Sequence, residues 1–271
     1  MSSASSKGAG AAASWFPGHM AAGLRAVVDA ADLIDVVLEV RDARLPHATA
    51  TAKLHQRLKA KPMFVLLNRK DLAEDAATRA WLSNLCDNGI EAFAGSGTHA
   101  ATLRSLRAAL TAYKGKRTRT RVAVVGAPNT GKSSVINSLV RRKRTVVEDR
   151  AGVTRHVRWI ALDDRVDILD TPGVLEPKIS NKTMAWQLAL CGILPESAFD
   201  VDEVIEQFAV WISRERPELA SKVDLESFSR QRGMLRRGGE IDRRNAAGAL
   251  LREFRTGKLG RFTFEHARED K

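Results

Sequence analysis

Gly126-Ala127-Pro128-Asn129-Thr130-Gly131-Lys132-Ser133 follows the apolar run 122–125 and opens a helical pattern over 133–140. Glycines at such a strand-to-helix turn let backbone N–H groups face inward and cradle an anion at the helix N-terminus. Lys132 is then placed to reach β- and γ-phosphates, and the Ser133 hydroxyl to ligate Mg²⁺. Pro128, Asn129, Thr130, Gly131 and Ser134 complete the loop around the phosphates. Without the strand before it and the helix after it, the same stretch would read as a glycine-rich turn carrying an incidental lysine.

Two further stretches give the phosphate loop a context. Asn68-Arg69-Lys70-Asp71 ends the apolar run 63–67, and Asp170-Thr171-Pro172-Gly173 ends the run 166–169. An Asp71 carboxylate can accept hydrogen bonds from guanine N1–H and the exocyclic amine, which adenine does not offer; this pairing discriminates strongly between the bases. The flat guanidinium of Arg69 can stack on a base. Gly95-Ser96-Gly97 reads either as a source of backbone contacts to the guanine oxygen, with Ser96 in the site, or as a simple turn. Asp170 lies 39 residues beyond Gly131, where its carboxylate can hold Mg²⁺ through water while the Gly173 amide approaches a γ-phosphate. Thr154, in Ala151-Gly152-Val153-Thr154-Arg155, is the candidate switch residue that closes on Mg²⁺ when a γ-phosphate is present; the alternative is a strand-entry threonine. In an ordinary GTPase the phosphate loop opens the domain and the base-recognition element comes late. Here that order is reversed, as if the domain had been cut and rejoined.

Short apolar runs at 34–40, 63–67, 90–94, 122–125, 157–162 and 166–169 alternate with helical patterns at 21–32, 78–87, 101–113 and 133–140. Alternation of this kind predicts an α/β fold with a mostly parallel sheet covered on both faces and its active loops at the carboxyl ends of the strands. Beyond about residue 184 the pattern turns helical, with candidates at 199–212, 219–225 and 246–254. The expected division is a tail over 1–14, a circularly permuted P-loop domain over 15–183 and a small α-helical C-terminal domain over 184–271.

The 271 residues carry 44 Lys and Arg against 32 Asp and Glu, a net charge of +12 that suits a polyanionic partner such as RNA and equally a merely solvated basic surface. Between 228 and 262 ten basic residues face three acidic ones. The candidate RNA contacts there are Arg230, Arg232, Arg236, Arg237, Arg243, Arg244, Arg255 and Lys258. The runs 114–121 and 141–144 add either a second contact or a solvated basic face. Cys86 and Cys191 form no CxxC pattern, so a reducing compartment is expected. No apolar run approaches the ~20 residues of a membrane span. The stretch 1–14 has no acidic residue and a single Lys7, and reads as a weak mitochondrial presequence or as a disordered tail.

These residues in this order resemble the circularly permuted ribosome-assembly GTPases, in the branch of bacterial ribosome biogenesis GTPase A and its mitochondrial counterparts. The resemblance covers Trp15-Phe16-Pro17-Gly18-His19-Met20, Asp42-Ala43-Arg44-Leu45-Pro46, the phosphate loop, Gly152-Val153-Thr154 and Asp170 to Gly173. It continues through Leu188-Ala189-Leu190 and Phe254-Arg255-Thr256-Gly257-Lys258-Leu259-Gly260. It implies a GTP-hydrolysing factor with GTP or GDP and Mg²⁺ as ligands. It also implies a large-subunit precursor, with its rRNA and ribosomal proteins, as partner, and a monomer working in the mitochondrial matrix or a bacterial-type cytoplasm. Val174 stands where many GTPases place a water-orienting Gln; the resemblance offers His19 for that role, against a structural reading of the same histidine. It likewise offers Asn129 as a K⁺ ligand, against a cap on the loop. Lys132 and Thr154 complete the catalytic set. The departures are Ala151 for Pro, Arg69 for Lys and Glu176 for Trp.

Overall fold

The structure, a computed structural model, describes residues 25, 27–58, 61–115, 117–140, 146–147, 158–171 and 181–267. The stretches 1–14 and 15–20 with His19, the run 141–144, Thr154 in 151–155, and Gly173, Val174 and Glu176 lie outside the described residues.

Seven strands form one sheet: β1 (Val36–Asp42), β2 (Met63–Asn68), β3 (Glu91–Ala94), β4 (Thr120–Val125), β5 (Val146–Val147), β6 (Arg158–Ala161) and β7 (Val166–Asp170), in the order β3-β2-β1-β4-β7-β6-β5. The pairs β1–β2, β2–β3, β1–β4 and β4–β7 are parallel, while β6 and β5 add an antiparallel edge. The strands read as unbroken apolar runs because both faces are covered. On one face Leu38, Val40, Leu66 and Val124 pack under α3 (Arg104–Ala112) and α4 (Lys132–Leu139), through Leu106, Leu110, Val135 and Ile136. On the other, Val37, Ala123, Val125 and Leu169 meet Ile34 and the short α1 (Ala52–Arg57) through Leu54. On that same face Val65 and Leu67 meet Trp81 and Leu85 of α2 (Asp75–Asp87).

The five parallel strands share one direction, so their carboxyl ends form a single edge. That edge carries Asp42 at the end of β1, Asn68 at the end of β2, Gly95-Ser96-Gly97 after β3, Gly126 after β4 and Asp170 at the end of β7. Three arginines of the basic stretch 114–121 are tied into the fold. Arg117 pairs with Asp35 at 3.1 Å, Arg119 with Asp167 at 2.6 Å, and Arg121 lies over the Trp159 ring at 5.1 Å.

The helical part comprises α5 (Lys182–Leu190), α6 (Val201–Glu215), α7 (Ala220–Val223), α8 (Leu225–Gln231) and α9 (Arg243–Arg255). Asp200, Asp224 and Asp242 cap α6, α8 and α9 by accepting from first-turn amides, the arrangement that supplies partners for orphan N–H groups. Its core is aromatic: Phe208 meets Phe254 edge-on at 5.1 Å, and Trp211 and Phe262 join them. Leu45, Ala48 and Ala127 from the sheet's loops belong to the same apolar cluster, so this core continues into the nucleotide-binding half.

Candidate nucleotide site and its clamp on the helical part

Two conformations forbidden to most side chains shape the phosphate loop. Gly126 has φ +148°, and a Cβ there would stand 2.3 Å from the Val40 carbonyl oxygen; Gly131 has φ +91°, and its Cβ would strike Asn68 Nδ2 at 2.4 Å. Only glycine fits either position. Asn129 adopts φ +57°, a left-handed geometry that asparagine tolerates better than most residues. Thr130, fully buried, donates its hydroxyl to the Ala127 carbonyl at 2.9 Å. Lys132 Nζ donates to the carbonyls of Gly126 at 3.1 Å and Ala127 at 2.7 Å. Ser133 and Ser134 are exposed on the first turn of α4.

The base-recognition stretch is fastened to this loop. Asn68, 2% exposed, donates from Nδ2 to the Thr130 carbonyl at 2.7 Å, and its Oδ1 accepts from the Gly97 amide at 2.8 Å. One side chain therefore joins the phosphate loop and the Gly95-Ser96-Gly97 turn. That turn is ordered further by Ser96 Oγ to Thr98 Oγ1 at 2.8 Å and by the Ser138 hydroxyl donating to the Gly97 carbonyl. Lys70 N–H donates to the Gly95 carbonyl at 3.0 Å, and Asp71 is exposed on the short 3₁₀ turn Lys70–Leu72. The structure thus gathers Asn68, Asp71, Ser96, Asn129, Thr130, Lys132 and Ser133 on one edge. The side chain of Asp170 lies outside what is described, though its backbone pairs with Val124.

Arg69 takes a role that its stacking potential does not suggest. In a left-handed backbone conformation (φ +60°), it donates to the Asn129 carbonyl at 2.7 Å and the Cys191 carbonyl at 3.2 Å, and stands 3.5 Å from Asp42. Cys191 caps α5, whose last carbonyls lack intrahelical partners and carry the negative end of the helix dipole. Arg44 donates to the Cys191 carbonyl at 2.9 Å, and Arg255 donates to those of Ala189 at 2.8 Å and Leu190 at 3.2 Å. Asn129 Nδ2 donates to the Ile193 carbonyl at 3.2 Å. Three arginines and the phosphate loop thereby grip the end of the helix that follows the Asp170 motif. Nothing in the local pattern of the sequence signals this clamp, because its partners lie up to 147 residues apart.

Buried charge supports the same region. Arg44, 1% exposed, forms a two-pronged pair with Asp42 at 2.9 and 2.8 Å and lies 5.6 Å over the Phe254 ring. Burial opposes ionisation of Asp42, but the Arg44 guanidinium and its hydrogen bonds outweigh it and hold the carboxyl below the usual range. Burial drives the Cys191 thiol up to about 12, so it stays neutral. Glu39, buried within β1, accepts from Arg41, Thr51 and His55, which together overcome burial and bring its carboxyl down to about 2.

The candidate RNA residues divide into three groups. Arg255 points inward to α5 and to Glu196 at 2.7 Å. Arg230, Arg232, Arg236 and Arg243 are exposed and paired with Glu226, Glu253, Asp242 and Glu206. Arg237, Arg244 and Lys258 are exposed and make no ion pair among the described residues. Arg236 and Arg237 occupy a tight hairpin in which Leu235 bridges to Ile241 and the Arg236 amide donates to the Glu240 carbonyl at 2.7 Å.

The family model described as "50S ribosome-binding GTPase" matches residues 121–215. Ribosome biogenesis GTPase A of Bacillus cereus is 33% identical over 278 residues, covering 94% of this chain and 94% of that protein. The Arabidopsis thaliana protein Short integuments 2, mitochondrial, is 34% identical over 212 residues, covering 72% of this chain and 55% of that protein. Among solved structures, GDP-bound YlqF superposes with a TM-score of 0.68 at 29% identity, covering 89% of this chain and 98% of the other. With a phosphate loop in the centre of the sheet, a base-recognition stretch reached earlier in the chain and similarity running nearly end to end, the chain belongs to the ribosome biogenesis GTPase A family.

Proposed function

We propose that the protein hydrolyses GTP while assembling the large ribosomal subunit, and that it docks on rRNA through its basic helical part. The observation that carries this reading is the clamp on α5. Phosphate-loop Asn129 and base-loop Arg69 bond to the carbonyls of Ile193 and Cys191, so nucleotide contacts and the helical part share one set of hydrogen bonds. A change of nucleotide state then has a direct physical route to the RNA-facing surface. GDP in the related YlqF supports the nucleotide assignment.

Asn68 and Asp71 select guanine, with Ser96 in the adjoining turn. Lys132 exchanges the Gly126 and Ala127 carbonyls for phosphate oxygens, and the inward amides of Pro128 to Ser134 follow the phosphate chain, Pro128 contributing shape without an N–H. The exposed Ser133 hydroxyl beside the glycine-shaped cradle, with Asp170 at the end of β7, fits Mg²⁺, which neutralises phosphate charge when bound. Thr154 and Gly173 close on the γ-phosphate side, and His19 orients the attacking water in place of the apolar Val174. The Asn129 amide oxygen makes no hydrogen bond among the described residues and serves as a K⁺ ligand. Turnover of GTP should rise when large-subunit precursor is added and should be faster in K⁺ than in Na⁺. No turnover under any of these conditions would leave a non-hydrolysing, GTP-bound RNA-binding scaffold.

RNA docking rests on Arg237, Arg244 and Lys258, with Arg230 and Arg243 exchanging the exposed carboxylates of Glu226 and Glu206 for phosphates, and Arg232 and Arg236 adding their charge while held by the less exposed Glu253 and Asp242. Exposed pairs of this kind contribute only about 0.2–1 kcal/mol, so the exchange costs little. Replacing Arg237 and Arg244 by Ala should weaken rRNA binding and reduce the slope of log K against log salt by about 1–2. Titrations of large-subunit rRNA at several salt concentrations read this slope, and a slope unchanged from the parent would remove these residues from the interface.

A further inference from the structure

After α9 the chain turns at Gly257 and Gly260 and runs back across the loop edge of the sheet. The Phe262 amide donates to the Leu72 carbonyl at 3.0 Å, and the Glu74 amide donates to Thr263 Oγ1 at 3.1 Å. Arg261 pairs with Asp75 at 2.7 Å. One step further, the Phe264 amide donates to the Arg44 carbonyl at 3.0 Å, and the Trp81 indole donates to the Glu265 carbonyl at 2.8 Å. The Glu265 carboxylate accepts from the His47 amide at 2.6 Å and the Ala48 amide at 3.0 Å. Phe262 and Thr263 are buried, 1% and 2% exposed, and the Phe264 ring packs tilted against Trp211 of α6 at 4.8 Å between centroids.

These bonds fall on the residues that follow Asp71 directly. Asp71 sits in a three-residue 3₁₀ turn, a piece of backbone with poor hydrogen-bond geometry that depends on tertiary partners for its orientation. One side of the turn is held by the Gly95 carbonyl through Lys70 N–H; the other side is held by Phe262 and Thr263. We propose that residues 261–265 form a strap that positions the guanine-recognition turn, so that nucleotide affinity is set in part by a segment at the far end of the chain. The inference rests on reading Asn68–Asp71 as the guanine site. Because the strap is anchored in the helical core through Phe262 and Phe264, any ligand that moves the helical part also moves the support of Asp71. Nucleotide and RNA must then alter each other's affinity by the same factor.

Deuterium exchange on the full chain, with and without GDP, tests the strap in the parent protein. GDP is expected to slow exchange at 261–265 together with 68–75; slowing at 68–75 with 261–265 unchanged overturns the proposal. Thr263→Val removes the acceptor of the Glu74 amide at nearly constant shape. It should speed release of both GDP and GTP about tenfold, the scale of one unsatisfied, part-buried amide. Thr263→Ser should restore the parental rate, and pyrophosphate affinity should not move, since the Thr263 hydroxyl meets the base side, at the Glu74 amide. Release within twofold of the parent, or an equal loss for pyrophosphate, overturns it. Asp71→Asn, with GTP and xanthosine triphosphate compared, tests the underlying guanine reading separately: an unchanged base preference removes that reading while exchange still reports on the strap.

Discussion

Asp42→Ala should destabilise the folded chain by about 3–5 kcal/mol, the cost of removing one partner from a buried ion pair. Asp42 is fully buried and accepts from Arg44 Nε, Nη2 and backbone N–H at 2.9, 2.8 and 3.0 Å. Without it, a guanidinium that is 1% exposed would keep a single hydrogen bond, to the Cys191 carbonyl at 2.9 Å. Arg44 Nη1 already has no partner among the described residues. For a chain of this size the loss corresponds to a drop in Tm of roughly 10 °C. The double variant Asp42→Leu with Arg44→Met should be less destabilised than Asp42→Ala, because it removes both charges together; equal losses would mean that the pair is not coupled.

The pH dependence has a defined sign. Asp42 titrates below its ordinary 3.8 in the folded chain, so its contribution is complete above that value and lost as pH falls through the folded pKa. Glu39 behaves alike between 4.5 and about 2. The parent should therefore lose stability steeply below pH 4, and Asp42→Ala less steeply. Urea unfolding at pH 7 and pH 3 measures both slopes. Since Arg44 also holds the end of α5, the variant should additionally loosen the helical part, visible as faster amide exchange at 189–193.

Six of the seven strands were readable because each is a short apolar run and each functional stretch sits where such a run ends; β5, the two residues Val146–Val147, was not. Asn68 after 63–67, Gly126 after 122–125 and Asp170 after 166–169 need no long-range information to be placed on one edge. Boundaries moved by a few residues: β1 runs on to Asp42, and α2 begins at Asp75 instead of 78. The helix α1 was not legible, since Ala52–Arg57 is only 6 residues long and lacks a side-chain cap. Helix α8 was missed because Asp224, which caps it, falls inside the run 219–225 that reads as one helix. The internal duties of Arg69, Arg255, Arg117 and Arg119 escaped for another reason. A basic residue in sequence carries no mark of whether its partner is a phosphate, a distant carboxylate or a helix end. Composition assigns it to the surface, whereas the orphan carbonyls of α5 draw two of these side chains inward. The strap over 261–265 shows no helical or strand period at all, so only its tertiary hydrogen bonds reveal it.

Asn68→Ala should weaken GDP and GTP binding by about 100-fold while leaving the nucleotide-free fold in place. The side chain is the only link in which one residue bonds both the Thr130 carbonyl, at 2.7 Å, and the Gly97 amide, at 2.8 Å, among the described residues. Its removal strands two backbone groups in a buried spot, at about 1–3 kcal/mol each. At 1.4 kcal/mol per tenfold, two such groups set a scale of roughly 30-fold to 10⁴-fold, and partial hydration of the loops brings the expectation toward the lower half. The lost carboxamide also opens the space against which Gly131 packs, its nitrogen lying 2.4 Å from where a Gly131 Cβ would stand, so the phosphate loop loses the surface that enforces its turn. Binding of pyrophosphate separates the two contributions. If Asn68 serves the base alone, pyrophosphate affinity stays at the parental value; if it orders the phosphate loop through Thr130, pyrophosphate weakens along with GDP. The geometry favours the second outcome, because Asn68 both bonds the Thr130 carbonyl and packs against Gly131 of the phosphate loop. Fluorescent-GDP titration with pyrophosphate competition reads both numbers, and GDP affinity within threefold of the parent would show that the bridge is dispensable.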